Sequence, residues 1–129
     1  MQVQSLEKNY KIIADFDRRE LHYSIAGFWD QETMQSFLVE LGRAAKPFIE
    51  AGEAFGAVGD MSDFVTQNKE TAEAIQTSLG LAQKNGMDRL ALVNATPLVQ
   101  LQYRRLATGL DLDFFDSVTE ASTWLQRPR

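Results

Sequence analysis

The spacing of apolar residues changes period several times along the chain, and the order of those changes fixes the fold class. Residues 10–16 (YKIIADF) place Tyr10, Ile12, Ala14 and Phe16 on one side at period two, the pattern of a half-buried strand. Residues 21–28 (LHYSIAGF) repeat it with Leu21, Tyr23 and Ile25. Only Asp17, Arg18, Arg19 and Glu20 lie between the two runs, so they predict an antiparallel hairpin. The period then turns helical. Met34, Phe37, Leu38, Leu41, Ala45 and Phe48 form one stripe behind Asp30 as N-cap. Pro47 marks a kink or a last turn, and Gly52 the stop.

Residues 54–61 (AFGAVGDM) read as a buried strand whose small residues let a helix or backbone approach closely. Asp60, Met61, Ser62, Asp63 and Phe64 predict a loop at its C-terminal end. A helix over 66–85 follows, with Ala72, Ile75, Leu79 and Ala82 as inner face and Asn85-Gly86 as its end. Residues 89–94 (RLALVN) are a strand covered on both faces. Thr96-Pro97 starts a helix to about Leu110, with Leu98, Leu101 and Arg105 on one side. Residues 112–115 form a last strand, and Asp116 or Ser117 caps a final helix carrying Val118, Ala121, Trp124 and Leu125. After the hairpin, strands and helices alternate, which implies right-handed crossovers. The expectation is an α/β fold, a mixed sheet flanked by helices. A chain of 129 residues fits one domain, 1–129, with its core at about 10–125.

Composition removes several function classes. The chain has no cysteine and a single histidine, which excludes thiolate nucleophiles, disulfides and the usual zinc sites within one chain. Lys and Arg total 13 against 18 Asp and Glu, a net charge of -5, so no nucleic-acid partner is expected. Residues 1–9 show no basic segment followed by an apolar run, and no stretch approaches the ~20 apolar residues of a membrane span. A cytoplasmic protein without a transmembrane segment is the expectation. Gly56 and Gly59 do not match dinucleotide or P-loop spacings, so no cofactor is expected.

Four short stretches, in this order, carry a resemblance to a known family. They are Gly27-Phe28-Trp29 at the sheet-to-helix junction and Asp60-Met61-Ser62-Asp63-Phe64 after the third strand. The others are Tyr103-Arg104-Arg105-Leu106-Ala107 and Phe114-Phe115-Asp116-Ser117. Together they resemble the STAS domain of anti-sigma-factor antagonists, in its SpoIIAA-like branch of small bacterial proteins, over residues 10–125. The resemblance implies a non-enzymatic regulatory module. Its protein partner would bind the loop and helix after the third strand. It also implies a switch serine at the start of that helix. Here the matching positions are Asn68, Lys69 and Glu70, and the resemblance does not extend to the serine. Apolar ligands are the second implication.

The candidate partner or ligand surface is therefore Asp60, Ser62, Asp63, Thr66 and Asn68. It is expected at the C-terminal edge of parallel strands and before a helix N-terminus. The plainer reading is that Ser62, Asp63 or Thr66 caps the helix. Arg104 and Arg105 could recognise a carboxylate or phosphate on a partner, or pair with nearby surface acids. A small apolar or lipid-like ligand would lie between the sheet and the first helix, near Phe28, Trp29, Met34 and Phe37; core packing explains those residues equally. His22 should face away from Leu21 and Tyr23, toward solvent or a helix, rather than act as a base. No nucleophile, base and orienting group stand together, so no catalytic or metal-ligating residue is assigned. Small α/β modules often pair, which makes a homodimer a further expectation.

Overall fold

A computed structural model describes residues 10–27 and 29–128 and, of Asp63, the backbone alone. Phe28, one of the expected pocket residues, lies outside the described residues. The hairpin forms from β1 (Tyr10–Asp15) and β2 (Glu20–Gly27), paired antiparallel with Ile12 opposite Tyr23. Helix α1 (Gln31–Ala51) follows, then β3 (Phe55–Phe64), α2 (Lys69–Lys84), β4 (Met87–Val93), α3 (Pro97–Leu106), β5 (Asp111–Phe115) and α4 (Val118–Leu125). The five strands lie in the order β1-β2-β3-β4-β5, and β2 to β5 run parallel. This is the mixed α/β sheet expected from the apolar periods.

Each helix begins on a side-chain cap that offsets an orphan amide. Asp30 accepts from the Thr33 amide at 2.7 Å, Asn68 from Thr71 at 2.9 Å, Thr96 from Val99 at 3.4 Å and Ser117 from Glu120 at 3.2 Å. The Thr33 amide also holds the Asp30 carboxyl below the usual carboxylate range. Gly52 closes α1 with φ of 68°, a left-handed cap that favours glycine. Pro47 lies inside α1, which continues to Ala51.

Two apolar layers hold the sheet. One face carries Tyr10, Leu21, Ile25, Phe55, Ala57, Met61, Phe64, Leu90 and Leu92 against Met34, Phe37, Phe48, Ile75, Val99 and Tyr103. The other carries Val58, Ala91 and Val93 against Ala121 and Leu125 of α4. Near Gly59 the first layer is tight. A methyl group there would lie 2.5 Å from the Tyr23 ring. Gly59→Ala is expected to cost about 1–3 kcal/mol, since the Tyr23 ring must shift from its packing against Phe37. Urea titration of the variant reads this directly, and an unchanged midpoint would contradict the packing described.

Several expectations need correction. The stretch Asp60–Phe64 was expected as a loop, but it belongs to β3. Its polar residues are accommodated by a bulge: β2 advances from Ser24 to Ala26 while β3 advances from Asp60 to Asp63. The extra residue lets Met61 and Phe64 both point into the same core layer. The helix after it accordingly starts at Lys69 rather than at 66, with Asn68 as its cap in place of Ser62, Asp63 or Thr66. In α3, Val99 and Tyr103 form the buried side, so the Leu98, Leu101 and Arg105 stripe faces outward. The helix also stops at Leu106, short of the expected Leu110.

Candidate functional site

The C-terminal edge of the parallel strands brings together residues from the ends of β3, β4 and β5. Asp60 Oδ1 accepts from the Ser62 hydroxyl at 2.6 Å and from the Ser62 amide at 3.1 Å. Asn94, just past β4 with φ of 61°, donates from Nδ2 to the Ser62 hydroxyl at 3.3 Å. Its amide donates to the Phe115 carbonyl at 3.0 Å. Asp60 and Ser62 are thus tied to each other and to the β4 end, rather than to the start of α2.

The segment between β3 and α2 is held from both sides. Gln67 is buried; its amide donates to Gln102 Oε1 at 3.0 Å, and Gln102 Nε2 donates to the Gln67 carbonyl at 3.0 Å. Gln67 Oε1 accepts from the Trp29 amide at 3.1 Å, and its Nε2 donates to the Val65 and Gly27 carbonyls. Gln67 therefore ties the end of β2 and the start of α1 to the loop through its side chain, and the loop to α3 through its backbone. The loop and α3 also expose large apolar side chains: Val65 is 46% exposed, Leu98 68% and Leu101 53%. Leu98 precedes Gln102 by one helical turn, so the outward stripe of α3 and the loop form one edge. Thr66 is exposed in the loop, and Asn68 is occupied in capping α2.

The two arginines stand apart from that cluster. Arg104 is exposed and lies 4.7 Å over the Phe114 ring. It lines an open polar crevice of about 730 Å³ with Asn94, Asp113, Asp116, Glu120 and Arg127, between the β5 edge and α4. Arg105 is exposed at the end of α3.

A second concavity of about 550 Å³ lies between the sheet, α1 and α2. Its walls are Leu38, Leu41, Ala45 and Ile49 from α1 and Ala74, Leu79 and Ala82 from α2, over a floor of Leu21, Tyr23, Ala57 and Leu90. An apolar space between sheet and first helix was expected, but nearer the chain's other end of that helix. Trp29, Met34 and Phe37 are instead fully packed in the core and do not line it. The Trp29 ring sits within 5.7 Å of Tyr10, Phe37 and Phe64, ring centre to ring centre. Burial pushes the phenols of Tyr23 and Tyr103 well above the usual tyrosine range.

No protein-family model matches the chain, and no curated protein matches it. Solved structures do. The chain is similar to an uncharacterized DUF3478-family protein with a SpoIIAA-like fold from Shewanella loihica PV-4, at TM-score 0.67 and 21% identity, covering 90% of this chain and 91% of that one. The chain has the SpoIIAA-like fold. It is also similar to the anti-sigma factor antagonist SpoIIAA in its unphosphorylated form, at TM-score 0.65 and 12% identity, over 93% of this chain and 98% of that one.

On this SpoIIAA-like chain the residues at the start of α2 are Asn68, Lys69 and Glu70. The first hydroxyl inside the helix is Thr71, which is fully buried with its oxygen lacking a hydrogen-bond partner among the described residues. Thr66 and Ser62 are the exposed hydroxyls of the edge. His22 points to the α4 side of the sheet, as expected, where its ring hydrogen-bonds Glu20 at 2.8 Å. Sequence reasoning missed the Gln67–Gln102 pair, Glu20 and the place of the cleft between α1 and α2. Gln67 and Gln102 lie far apart in sequence and carry no local signal. Among the described residues no helix is long and apolar enough to cross a membrane.

Proposed function

We propose that this chain is a non-catalytic regulatory module of STAS type that captures a protein partner at the edge made by residues 60–68 and α3. The supporting observation is the apolar surface of Val65, Leu98 and Leu101 around a loop locked by Gln67 and Gln102. A fixed backbone lowers the ordering cost of binding, and exposed Leu side chains on one edge suit the apolar centre of an interface. Asp60, Asp63, Arg104 and Arg105 would set partner choice and encounter rate from the rim. The SpoIIAA likeness adds that an antagonist of an anti-sigma factor is built on this fold.

A charge change at Asn68 would remove the α2 cap. The cleaner test uses a photo-crosslinking residue at Leu101 or Thr66, with Lys46 on α1 as the control position. Discrete adducts at 101 and 66, abolished by Leu98→Glu with retained helical circular dichroism, are expected. Adducts equal at Lys46, or insensitive to Leu98→Glu, would refute this surface.

A second reading, a carrier or sensor of a small apolar ligand, is supported by the cleft between α1, α2 and the sheet. Its volume lies within the range of small-molecule sites.

A further inference from the structure

We propose that the cleft takes an uncharged apolar molecule carrying one hydrogen-bond acceptor, which the Tyr23 hydroxyl recognises at the floor. This rests on the carrier reading and narrows its ligand class.

The lining contains no Asp, Glu, Lys, Arg or His. A buried carboxylate or ammonium would therefore find no countercharge, which is strongly unfavourable away from water. The polar side chains in the wall are neutral: Gln35, Thr77, Ser78, Asn85 and Tyr23. Tyr23 lies across the bare backbone of Gly59, where a methyl group would stand 2.6 Å from its hydroxyl oxygen. No hydrogen bond of that hydroxyl is found among the described residues, while its ring packs edge-on to Phe37. An un-ionised phenol can donate one hydrogen bond. Facing a purely hydrocarbon ligand it would stay unmet, which is costly. A ketone, ester or similar oxygen would meet it.

The mouth supports entry of such a molecule. Val39 of α1 and Leu81 of α2 are exposed large apolar side chains, and both belong to the lining. Gly42 of α1 also belongs to the lining; its φ is ordinary and an added methyl would meet nothing within 4 Å. Glycine is unfavourable inside a helix, and no close packing calls for it. A larger side chain at this position is expected to narrow the cleft.

The test is amide-shift NMR of the full chain with two nine-carbon probes, 2-nonanone and nonanoate, at neutral pH. We expect 2-nonanone to shift the amides of Leu21, Leu38, Leu79 and Leu90, and nonanoate to bind at least about tenfold more weakly. Tyr23→Phe should weaken 2-nonanone about fivefold, the value of one neutral hydrogen bond, without changing nonanoate binding. Gly42→Leu should weaken both probes while leaving the fold intact. Equal affinity for the two probes with no effect of Tyr23→Phe would overturn the acceptor assignment and leave an apolar carrier standing. No shift with either probe, or shifts unaffected by Gly42→Leu, would overturn the assignment and the carrier reading together.

Discussion

Trp29→Ala is expected to lower the unfolding free energy by about 3–5 kcal/mol, the range for emptying a buried aromatic site. Trp29 is 1% exposed and meets Tyr10, Phe37 and Phe64. Its indole N–H donates to the Ala26 carbonyl at 2.6 Å, and its amide donates to Gln67 Oε1. The residue joins the end of β2, the start of α1 and the β3–α2 loop. Loss of the ring therefore also loosens the loop proposed to bind a partner. Trp29→Phe should recover most of the packing and lose the indole hydrogen bond, about 1 kcal/mol. Urea unfolding followed by circular dichroism orders the three proteins. A Trp29→Ala midpoint near the parent's would contradict the packing assigned to this junction.

Glu20→Ala is the second large effect, expected at about 3 kcal/mol. Glu20 is fully buried at the start of β2. Its Oε1 accepts from the Ser122 hydroxyl at 3.0 Å and pairs with His22 at 2.8 Å, and its Oε2 accepts from Gln126. Arg18 lies 3.5 Å away. These bonds fasten α4 to the far side of the sheet, so Ala would leave several donors unmet at once. Glu20→Gln should cost less, because one oxygen remains to accept while the amide nitrogen faces the Gln126 donor. A double-mutant cycle with Ser122→Ala separates the α4 contact from the rest. Equal stability of parent and Glu20→Ala would show that this network does not anchor α4.

The parts of the fold that rest on local chemistry were legible from the residues. The caps at Asp30, Thr96 and Ser117, the Gly52 stop and the alternation of periods all describe neighbours in sequence, and the structure places them so. Errors arose where a distant partner decides. Asp60, Ser62 and Asp63 look like loop residues, but pairing with β2 supplies their backbone partners and a bulge absorbs the misfit. The Leu98 and Leu101 stripe has the spacing of a core face, yet Val99 and Tyr103 meet the sheet.

Of the candidate surface, Asp60 and Ser62 were legible as an edge, while Asn68 proved to be a cap. Glu20 looked like a turn residue because nothing near it in sequence shows that Ser122 and Gln126 fold over it. Arg89 gave no hint that it donates to the carbonyls ending α4, at 2.9 Å for Trp124. The cleft was hidden for another reason. Leu38, Leu41, Leu79 and Ala82 read alike whether helices close on one another or stand apart.

Native mass spectrometry of the chain purified from its own host, beside the Leu98→Glu/Leu101→Glu variant, tests the partner-binding claim most directly. A discrete complex with one protein partner is expected for the parent, and its absence for the variant with the fold retained. The same complex in both proteins, or a parent chain that carries no partner under any growth condition that expresses it, would contradict a regulatory module acting through this edge.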